Sequence, residues 1–406
     1  MVKFHEVGKN DVFENTTSCE HFGRCGGCTY LDIPYEEELA LKLESLKETL
    51  GEFGQCVERL HPAPDVSGYR NKMELAFGDE GKDGRLALGM RKQRSFYEVA
   101  TPENCVLIHD DFKQIIMCVL EYFRKAGEAF FHRKRHIGTL RHLVLRRGHF
   151  TGEVLLNLST TTTLKTPLEP LIDGLLELPI AGKIVGFLHA ENDGVADVVK
   201  NENVKLLYGR DYYNEEILGL KFKVSMFSFF QTNSAGAERL YNIVREYVAG
   251  GTTLPENNGI VAYDLYCGTG TIAQILSPYF AKIMGIELIP DAIKAAKDNA
   301  ALNGITNCDF FAGDVLDVIG NHPHANPPDV VVVDPPREGL HPKTLPHIIA
   351  LNAPRLVYVA CKPKSLARDL AALTAAGYAV EKIEGMDMFP RTPHVEAVAL
   401  LRRANA

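Results

Sequence analysis

The chain contains no stretch of eighteen or more apolar residues, which excludes an ordinary membrane-spanning helix. Its first residues, MVKFHEVGKNDVFENTT, lack the apolar h-region of a secretory signal, so the protein is expected to stay in the cytoplasm. Thiols remain reduced there, and the nine cysteines need a reading other than disulfides. An excess of positive charge is also missing: 44 Lys and Arg stand against 52 Asp and Glu, a net charge of −8. That argues against a wholly basic nucleic-acid coat and leaves room for a local basic face. What is present is an ordinary globular composition, 46% apolar and 24% charged, over 406 residues. Such a length exceeds one hydrophobic core, so two or three domains are expected.

Residues 36–53 have helical periodicity, with Leu39, Leu43, Leu46 and Leu50 on one stripe. From about Tyr69 to Val224, short alternating segments dominate: MELAF, RLALGM, LRHLVLRR, EVLLNLS, IVGFLHA and LKFKVSM. They predict strands of a mostly antiparallel sheet with a few helices between them. After Gln231 the apolar runs VAYDLY, AKIMGIE, CDFFAGD, DVVVVDPP and RLVYVAC alternate with helical patterns. This indicates a parallel sheet covered on both faces. The expected fold is therefore α/β behind an α+β region, with a boundary near residue 226 separating 1–225 from 226–406. TLPENNG (253–259) is expected as a surface loop before the first parallel strand.

The first parallel strand ends near Asp264, and the glycine-rich turn Cys267-Gly-Thr-Gly270 leads into a helix near Thr271. Gly268 and Gly270 permit tight geometry and close approach of a ligand. Ligands of open α/β sheets bind beyond the carboxyl ends of the strands. The next two strands run out at Glu287 and Asp314, placed for ribose hydroxyls and an adenine edge. The turn lacks the third glycine of a dinucleotide site and the G-K-[ST] of a phosphate loop. Asp264-Leu-Tyr-Cys-Gly-Thr-Gly270 instead resembles motif I of class I S-adenosylmethionine methyltransferases.

The fourth strand delivers Asp334, stiffened by Pro335 and Pro336. Amino-methyltransferases place an aromatic after a similar motif to stack on the base; Arg337 stands here, so Asp334 reads as a fixed carboxylate toward base or cofactor. The fifth strand ends at Cys361, followed by Lys362 and Pro363. A helix beginning near Pro363 is expected to lower the thiol pKa by its dipole, with Lys362 adding to this. Addition of a thiolate at C6 of uracil makes C5 nucleophilic toward a sulfonium methyl. A base must then remove the C5 proton. Glu396, opening a last apolar strand, is the candidate, and His394 competes with it.

At this point the sequence resembles the RNA 5-methyluridine methyltransferase family, from Cys19 nearly to the C-terminus. The resemblance rests on C-x5-C-x2-C at 19–28, Tyr69-Arg-Asn-Lys72, Phe229-Phe-Gln-Thr-Asn233, Asp264–Gly270, Asp334-Pro-Pro-Arg337, Cys361-Lys-Pro363 and His394-Val-Glu396. It implies Cys361 as nucleophile and Glu396 as proton acceptor. It implies cofactor contacts at Gln231, Tyr266, Glu287 and Asp334, with Thr271 and Asp314 beside them. One departure is Ala360-Cys361-Lys362-Pro363, where the family commonly has Ser-Cys-Asn-Pro. Rival readings are methylation of cytosine C5 or of an exocyclic amine, and a non-catalytic iron–sulfur RNA-binding protein.

Cys19, Cys25 and Cys28 have metal-ligand spacing, and Cys105 is the natural fourth ligand. Spacing alone leaves zinc and an iron–sulfur cluster open; the resemblance implies [4Fe–4S]. Between Arg124 and His149 stand eight Lys/Arg and one acidic residue, a candidate phosphate-binding patch with Phe130 and Phe131 to stack on unpaired bases. The target uridine must be unpaired or flipped out. The cysteine set favours 23S rRNA over tRNA, because bacterial tRNA members generally lack it, although archaeal ones carry it. With 18 residues before Cys19, the N-terminal β-barrel domain of many relatives is expected to be absent, and a monomer is expected.

Overall fold

A computed structural model describes residues 19–82, 84–194, 203–249, 259–321 and 328–404. The N-terminal 18 residues and positions 253–258 of the expected surface loop lie outside the described residues.

The described chain begins with the cysteine-bearing segment and enters helix α1 (Tyr35–Leu50) and strand β1 (Val57–His61). A seven-stranded sheet follows. Its strands are β2 (Lys72–Asp79), β3 (Leu86–Arg91), β4 (Val99–Ala100), β5 (Leu140–Arg147), β6 (Glu153–Thr160), β7 (Lys183–Glu191) and β8 (Val204–Gly209). They lie in the order β4-β3-β2-β5-β6-β7-β8, antiparallel except for β6 beside β7. Helices α2 (Asp110–Ala126) and α3 (Glu169–Leu176) bury one face. The other face packs on the hairpin of β9 (Tyr212–Ile217) and β10 (Leu220–Ser225) and on helix α4 (Ser234–Ala249).

The second sheet contains β11 (Val261–Leu265), β12 (Lys282–Glu287), β13 (Cys308–Ala312), β14 (Val330–Val333), β15 (Arg355–Ala360), β16 (Tyr378–Met386) and β17 (Glu396–Arg403). With β1 its order is β1-β16-β17-β15-β14-β11-β12-β13. Every pairing is parallel except those of β17. Helices α5 (Thr271–Leu276) and α6 (Pro290–Leu302) share one face with α4. Helix α7 (Val315–Asn321) follows β13; α8 (Leu345–Ala350) and α9 (Pro363–Ala375) join α1 on the opposite face. The four valines of β14 are fully buried, as a strand covered on both sides requires.

Two features were not visible in the apolar patterns. Strand β1, VERLH, pairs with β16 across the sheet edge, so residues 35–61 belong to the second sheet and the first sheet is inserted between β1 and β11. A single division at residue 226 therefore leaves this segment on the wrong side. Its register is held by charge as well as burial: Arg59 and His61 both bind the buried Glu384 of β16. Second, β16 and β17 are joined by only nine residues, Asp387–Val395. A parallel pair needs a longer crossover, so β17 turns back antiparallel.

Helix α1 departs from its expected stripe in a consequential way. Leu46 and Leu50 are buried, Leu39 and Leu43 only half-buried, and the fully buried positions one turn earlier hold Glu38 and Lys42. Lys42 Nζ donates to Glu38 Oε1 (2.7 Å), Asp387 Oδ1 (2.8 Å) and Phe389 O (3.2 Å), using all three donors. Tyr35 donates its hydroxyl to the other oxygen of Asp387 (2.8 Å). Replacing Lys42 by Met removes the cation and leaves two carboxylates buried. The expected loss of stability is about 3–5 kcal/mol, read as a lowered urea midpoint at unchanged slope; a loss below about 1 kcal/mol would show that this network is dispensable.

Candidate active site

The turn after β11 is built for a ligand. Tyr266, Gly268 and Gly270 all have left-handed φ (66°, 53° and 74°). A Cβ added at Gly270 would stand 2.7 Å from the Phe310 ring, whereas one added at Gly268 would meet nothing within 4 Å. Gly270 thus serves packing, and Gly268 leaves open space above the backbone. Beneath the turn, Asp264 accepts the Ala273 N–H through Oδ2 (2.9 Å), while its buried Oδ1 has no partner among the described residues. Burial pushes its pKa up to about 8.

The other carboxylates stand around this turn. Glu287 accepts the N–H groups of Gly268 (3.2 Å) and Ile289 (3.0 Å). Asp314 caps α7 through the Leu316 N–H (2.8 Å) and keeps an oxygen free on an exposed side chain. The Tyr266 hydroxyl shares a hydrogen bond with Thr344 and lies within electrostatic reach of Asp314 and Glu287. Thr271 opens α5 and is buried against the turn. The structure thus brings Tyr266, Glu287 and Asp314 together around the open face of Gly268. The space over that face and the unpartnered Asp264 oxygen fit a nucleoside-bearing ligand.

Cys361 follows the last residue of β15, and Glu396 is the first residue of β17. Ala360 pairs with Ala397, which sets the thiol and the carboxyl side by side at one end of the sheet. Asp334 joins them from the end of β14, and burial pushes its pKa up to about 7. Glu396 is raised to about 8 by burial and then by Asp334, with Arg337 opposing. Cys361 is raised to about 11 by burial first, then by Glu396 and Asp334, again against Arg337. This corrects the expectation of a thiol lowered by Lys362 and the helix start. The thiol is desolvated between two carboxyls, and the opposing cation is Arg337, which the sequence reading treated only as a missing aromatic. Behind these groups, the buried Tyr241 hydroxyl bonds to the Gln231 side chain and faces Asp334, Asp264 and Glu396. Tyr241 had no motif to mark it beyond an apolar position on α4.

Over the thiol opens a cavity of about 510 Å³ whose walls include Thr49, Arg337, Cys361, Lys362, Lys364 and His394, a size typical of ligand sites. His394 is exposed, and its pKa is lowered by partial burial and then by Arg337, Lys42 and Arg70. The cavity therefore presents Arg337, Lys362 and Lys364, with Glu338 beside them, around an imidazole and a thiol.

The four cysteines converge. Cys28 is pushed up to about 12 by burial and then by Cys105, Cys19 and Cys25, and Cys105 is raised by burial, Cys19 and Cys25. Among the described residues no group of three or more His, Cys, Asp or Glu is ready-made for a metal ion. The set of four sulfurs nevertheless fits a soft metal or an iron–sulfur group in its donor chemistry.

Four of the eight cations of the basic run, Arg124, Arg141, Arg146 and Arg147, are engaged within the protein. Arg141 donates to Asn192 O (3.1 Å) and Gly194 O (2.7 Å), Arg146 to Met226 O (2.8 Å) and Ser228 O, and Arg147 to Asp111 (2.9 Å). Arg124 pairs with Glu80 and Glu121. Phe131 lies under Arg141, and Phe130 packs near Tyr97. These four arginine side chains are taken up by loop carbonyls and carboxylates; Lys125, Lys134 and Arg135 are the exposed cations of the run, and Arg133 is half-buried.

A parallel sheet with one reversed strand and carboxylates ringing the first glycine turn defines a class I S-adenosylmethionine methyltransferase fold. Residues 183–312 match the tRNA (Uracil-5-)-methyltransferase family, and residues 256–386 match a methyltransferase domain. A Clostridium tetani protein described as an RNA methyltransferase is 43% identical over 404 residues, covering 99% of this chain and 87% of its own. Another so described, from Caldanaerobacter subterraneus, is 44% identical over 405 residues, covering 98% and 87%. The structure of Pyrococcus abyssi tRNA (uracil-54, C5)-methyltransferase in complex with S-adenosyl-L-homocysteine matches with a TM-score of 0.75 and 27% identity, over 93% of this chain and 86% of that one. The chain belongs to the RNA uracil-5-methyltransferase family and is an S-adenosylmethionine-dependent RNA (uracil-C5) methyltransferase.

The two glycines separate experimentally. Gly270→Ala combines left-handed strain with the Phe310 contact and is expected to lower stability by about 2–4 kcal/mol. Gly268→Ala carries the strain alone, about 1–2 kcal/mol, and is expected to weaken S-adenosylmethionine binding beyond that strain. Thermal unfolding and calorimetric titration read the two effects; unchanged cofactor affinity in Gly268→Ala would contradict the assignment of its open face.

Proposed function

We propose that the enzyme methylates C5 of a uridine in 23S rRNA through a covalent bond between Cys361 and C6, with Glu396 as the base that ends the reaction. The observation that carries this reading is the pairing of β15 with β17, which sets the thiol beside a buried carboxyl at the floor of a cationic cavity. S-Adenosylmethionine would supply an electrophilic methyl on sulfonium; Gln231, Tyr266, Glu287 and Asp334 would hold it, with Thr271 and Asp314 beside them. Cys361, once ionised, adds its electron pair to C6; the electron pair thereby placed on C5 would form the new C–CH3 bond as the S–CH3 bond breaks, leaving S-adenosylhomocysteine. Glu396 takes the C5 proton, the C5–C6 double bond re-forms, and the thiolate leaves. A carboxyl raised to about 8 suits that step, since it accepts a carbon-bound proton more readily than an exposed glutamate. Arg337 opposes the thiol's high pKa and steadies the thiolate.

In this reading Cys19, Cys25, Cys28 and Cys105 hold a [4Fe–4S] cluster of structural rather than redox use, because methyl transfer from a sulfonium moves no net electrons. Residues 1–225, apart from the helix and strand of 35–61, form the cluster-bearing and RNA-binding region, and 226–406 form the methyltransferase domain. The protein works as a cytoplasmic monomer. The cysteine set favours the ribosomal branch of the family. Transfer RNA is the second reading, favoured by the likeness to the archaeal tRNA enzyme. Mass-spectrometric mapping of 5-methyluridine in 23S rRNA and tRNA, from cells with and without the protein, decides between them.

Glu396→Gln keeps the side-chain shape and removes its basicity. It is expected to methylate once and stall as a Cys361–RNA adduct that survives denaturing electrophoresis and carries label from methyl-labelled cofactor. Cys361→Ala is expected to form no adduct and to bind cofactor normally. In the wild type, resolution of the adduct is expected to speed up as pH rises toward about 8, where Glu396 becomes ionised; normal turnover by Glu396→Gln refutes its role as the base.

Protein purified without oxygen is expected to be brown, absorbing broadly near 400 nm, an approximate value typical of thiolate-held iron–sulfur groups. Zinc without iron on metal analysis rejects the cluster.

A further inference from the structure

The nine-residue segment between β16 and β17 ends on the proposed base, and it is held from three directions. Helix α1 grips it through Lys42 at Asp387 and Phe389. The inserted first sheet and α4 grip it through Tyr69, whose hydroxyl donates to Pro390 O (3.0 Å), and Asn233, whose amide donates to Met388 O (2.9 Å). The third grip comes from the cysteine segment and converges on Arg391. The N–H groups of Thr29 (2.7 Å) and Tyr30 (3.2 Å), directly after Cys28, both donate to Arg391 O. The guanidinium returns through Nη1 to Tyr30 O (3.3 Å) and Ile33 O (3.0 Å), and to Glu38 Oε2 (3.4 Å). The Arg391 N–H donates to Glu38 Oε1 (2.6 Å).

Arg391 also has a φ of 68°, a conformation that a side chain adopts only when its surroundings enforce it. Next to it Thr392 turns the chain: its N–H and hydroxyl donate to Phe389 O (3.2 and 2.7 Å), and its hydroxyl accepts the His394 N–H (3.3 Å). Two residues later β17 begins with Glu396. Hydrogen bonds therefore tie Thr29 and Tyr30, next to Cys28, to a turn that ends at His394, two residues before the active-site carboxyl.

We infer that Arg391 is a positioning residue through which the occupied four-cysteine site fixes the segment carrying Glu396. This rests on the reading of Glu396 as base and of the cysteines as a metal-cluster site. A cluster holding Cys28 would fix the two N–H groups that follow it. Those hold the Arg391 carbonyl, and the left-handed residue sets the exit of the Thr392 turn. Loss of the cluster frees Cys28 and loosens this grip, while α1, Tyr69 and Asn233 still hold the first half of the segment. The step that suffers is proton removal, which depends on the Glu396 position. Thiolate addition depends on Cys361, which sits on β15 and is held independently.

The test follows the Cys361–RNA adduct on denaturing gels, using holoenzyme, methyl-labelled cofactor and 23S rRNA from cells lacking the protein. Arg391→Ala is expected to bind cofactor normally and to form the methylated adduct. It should resolve that adduct about ten- to a hundredfold more slowly, the range produced by displacing a reacting group by about an ångström. Arg391→Lys should recover part of the rate. Thr392→Val, which breaks the next link without touching Glu38, should show the same accumulation. Wild-type enzyme stripped of metal by a chelator should also accumulate the adduct; because Thr29 and Tyr30 hold the backbone carbonyl of residue 391, which alanine keeps, stripping Arg391→Ala should slow it further. Resolution at the wild-type rate in both variants overturns the inference, as does equal loss of cofactor binding and adduct formation. Chelated wild-type enzyme that resolves the adduct at the unchanged rate also overturns it, because the cysteine site would then not act on this segment. Glu396→Gln is run in parallel. If it stalls while Arg391→Ala resolves normally, only this inference fails; if it turns over, the base assignment fails and takes the inference with it.

Discussion

The ammonium of Lys42, buried between Glu38, Asp387 and the carbonyl of Phe389, is the contact on which the arrangement of the active site depends. It joins a helix near the start of the described chain to a turn near its end. A cation this deep is tolerated only because all its donors are satisfied and two carboxylates oppose it. In return the turn between β16 and β17 gains one fixed shape. A hydrophobic contact at this place would hold the turn down without fixing its rotation, whereas three directed hydrogen bonds specify both.

The same logic runs through Asn71 and Asn233, two residues of the motifs that carry the family resemblance, and their neighbours. Asn71 donates its side-chain amide to Ser234 Oγ (2.7 Å), and Ser234 donates to the buried Glu215 (2.5 Å). Glu215 also takes the N–H groups of His149 (2.7 Å) and Phe150 (3.1 Å). Asn233 caps the start of α4 at the Gly236 N–H (2.9 Å) while reaching Met388. These side chains weld the inserted sheet to the methyltransferase sheet. From the basic run, Arg146 reaches Met226 O and Ser228 O on the way to α4, while Arg141 and Arg147 tie together loops of the inserted region itself. A guanidinium offers five donors in a fixed fork, which suits it to gathering loop carbonyls as well as phosphates. Composition cannot tell those two uses apart.

At the reacting end, electrostatics and burial act against each other. Asp264, Asp334 and Glu396 are all held above the usual carboxylate range, to about 8, 7 and 8. Each is desolvated, and Asp334 stands close to both of the others. Three ionised carboxylates in one cleft would repel one another, so without ligand they hold protons easily. Arg337 is the cation that offsets this around Cys361 and Glu396. A ligand carrying positive charge beside Asp334 would favour its ionised form, and the cleft is thus matched to a sulfonium compound by charge as well as shape.

Much of this was legible in the sequence. The apolar runs located β11 to β15, because strands buried on both faces cannot hide their composition, and the alternating runs located β2, β3, β5, β6 and β7. Cys361, Asp334 and Glu287 stood out as candidates at strand ends, Glu396 at the start of the last apolar strand, and the four cysteines by their spacing. Other features depended on contacts between residues far apart in the chain. The polar strand β1 was not visible, since its partners Glu384 and β16 lie more than three hundred residues away. Nor was the state of the thiol: Lys362 is its sequence neighbour, but burial, Glu396 and Asp334 decide its pKa. The sequence by itself marked the candidate residues and the strand ends at which they stand. Only the tertiary structure decided that β17 runs backward against β15, pairing Ala397 with Ala360, so that Glu396 meets Cys361. The reason is geometric: a nine-residue link cannot cross a sheet, so it must reverse, and the register of that reversal is held by Lys42 and Arg391 through contacts that no local pattern records.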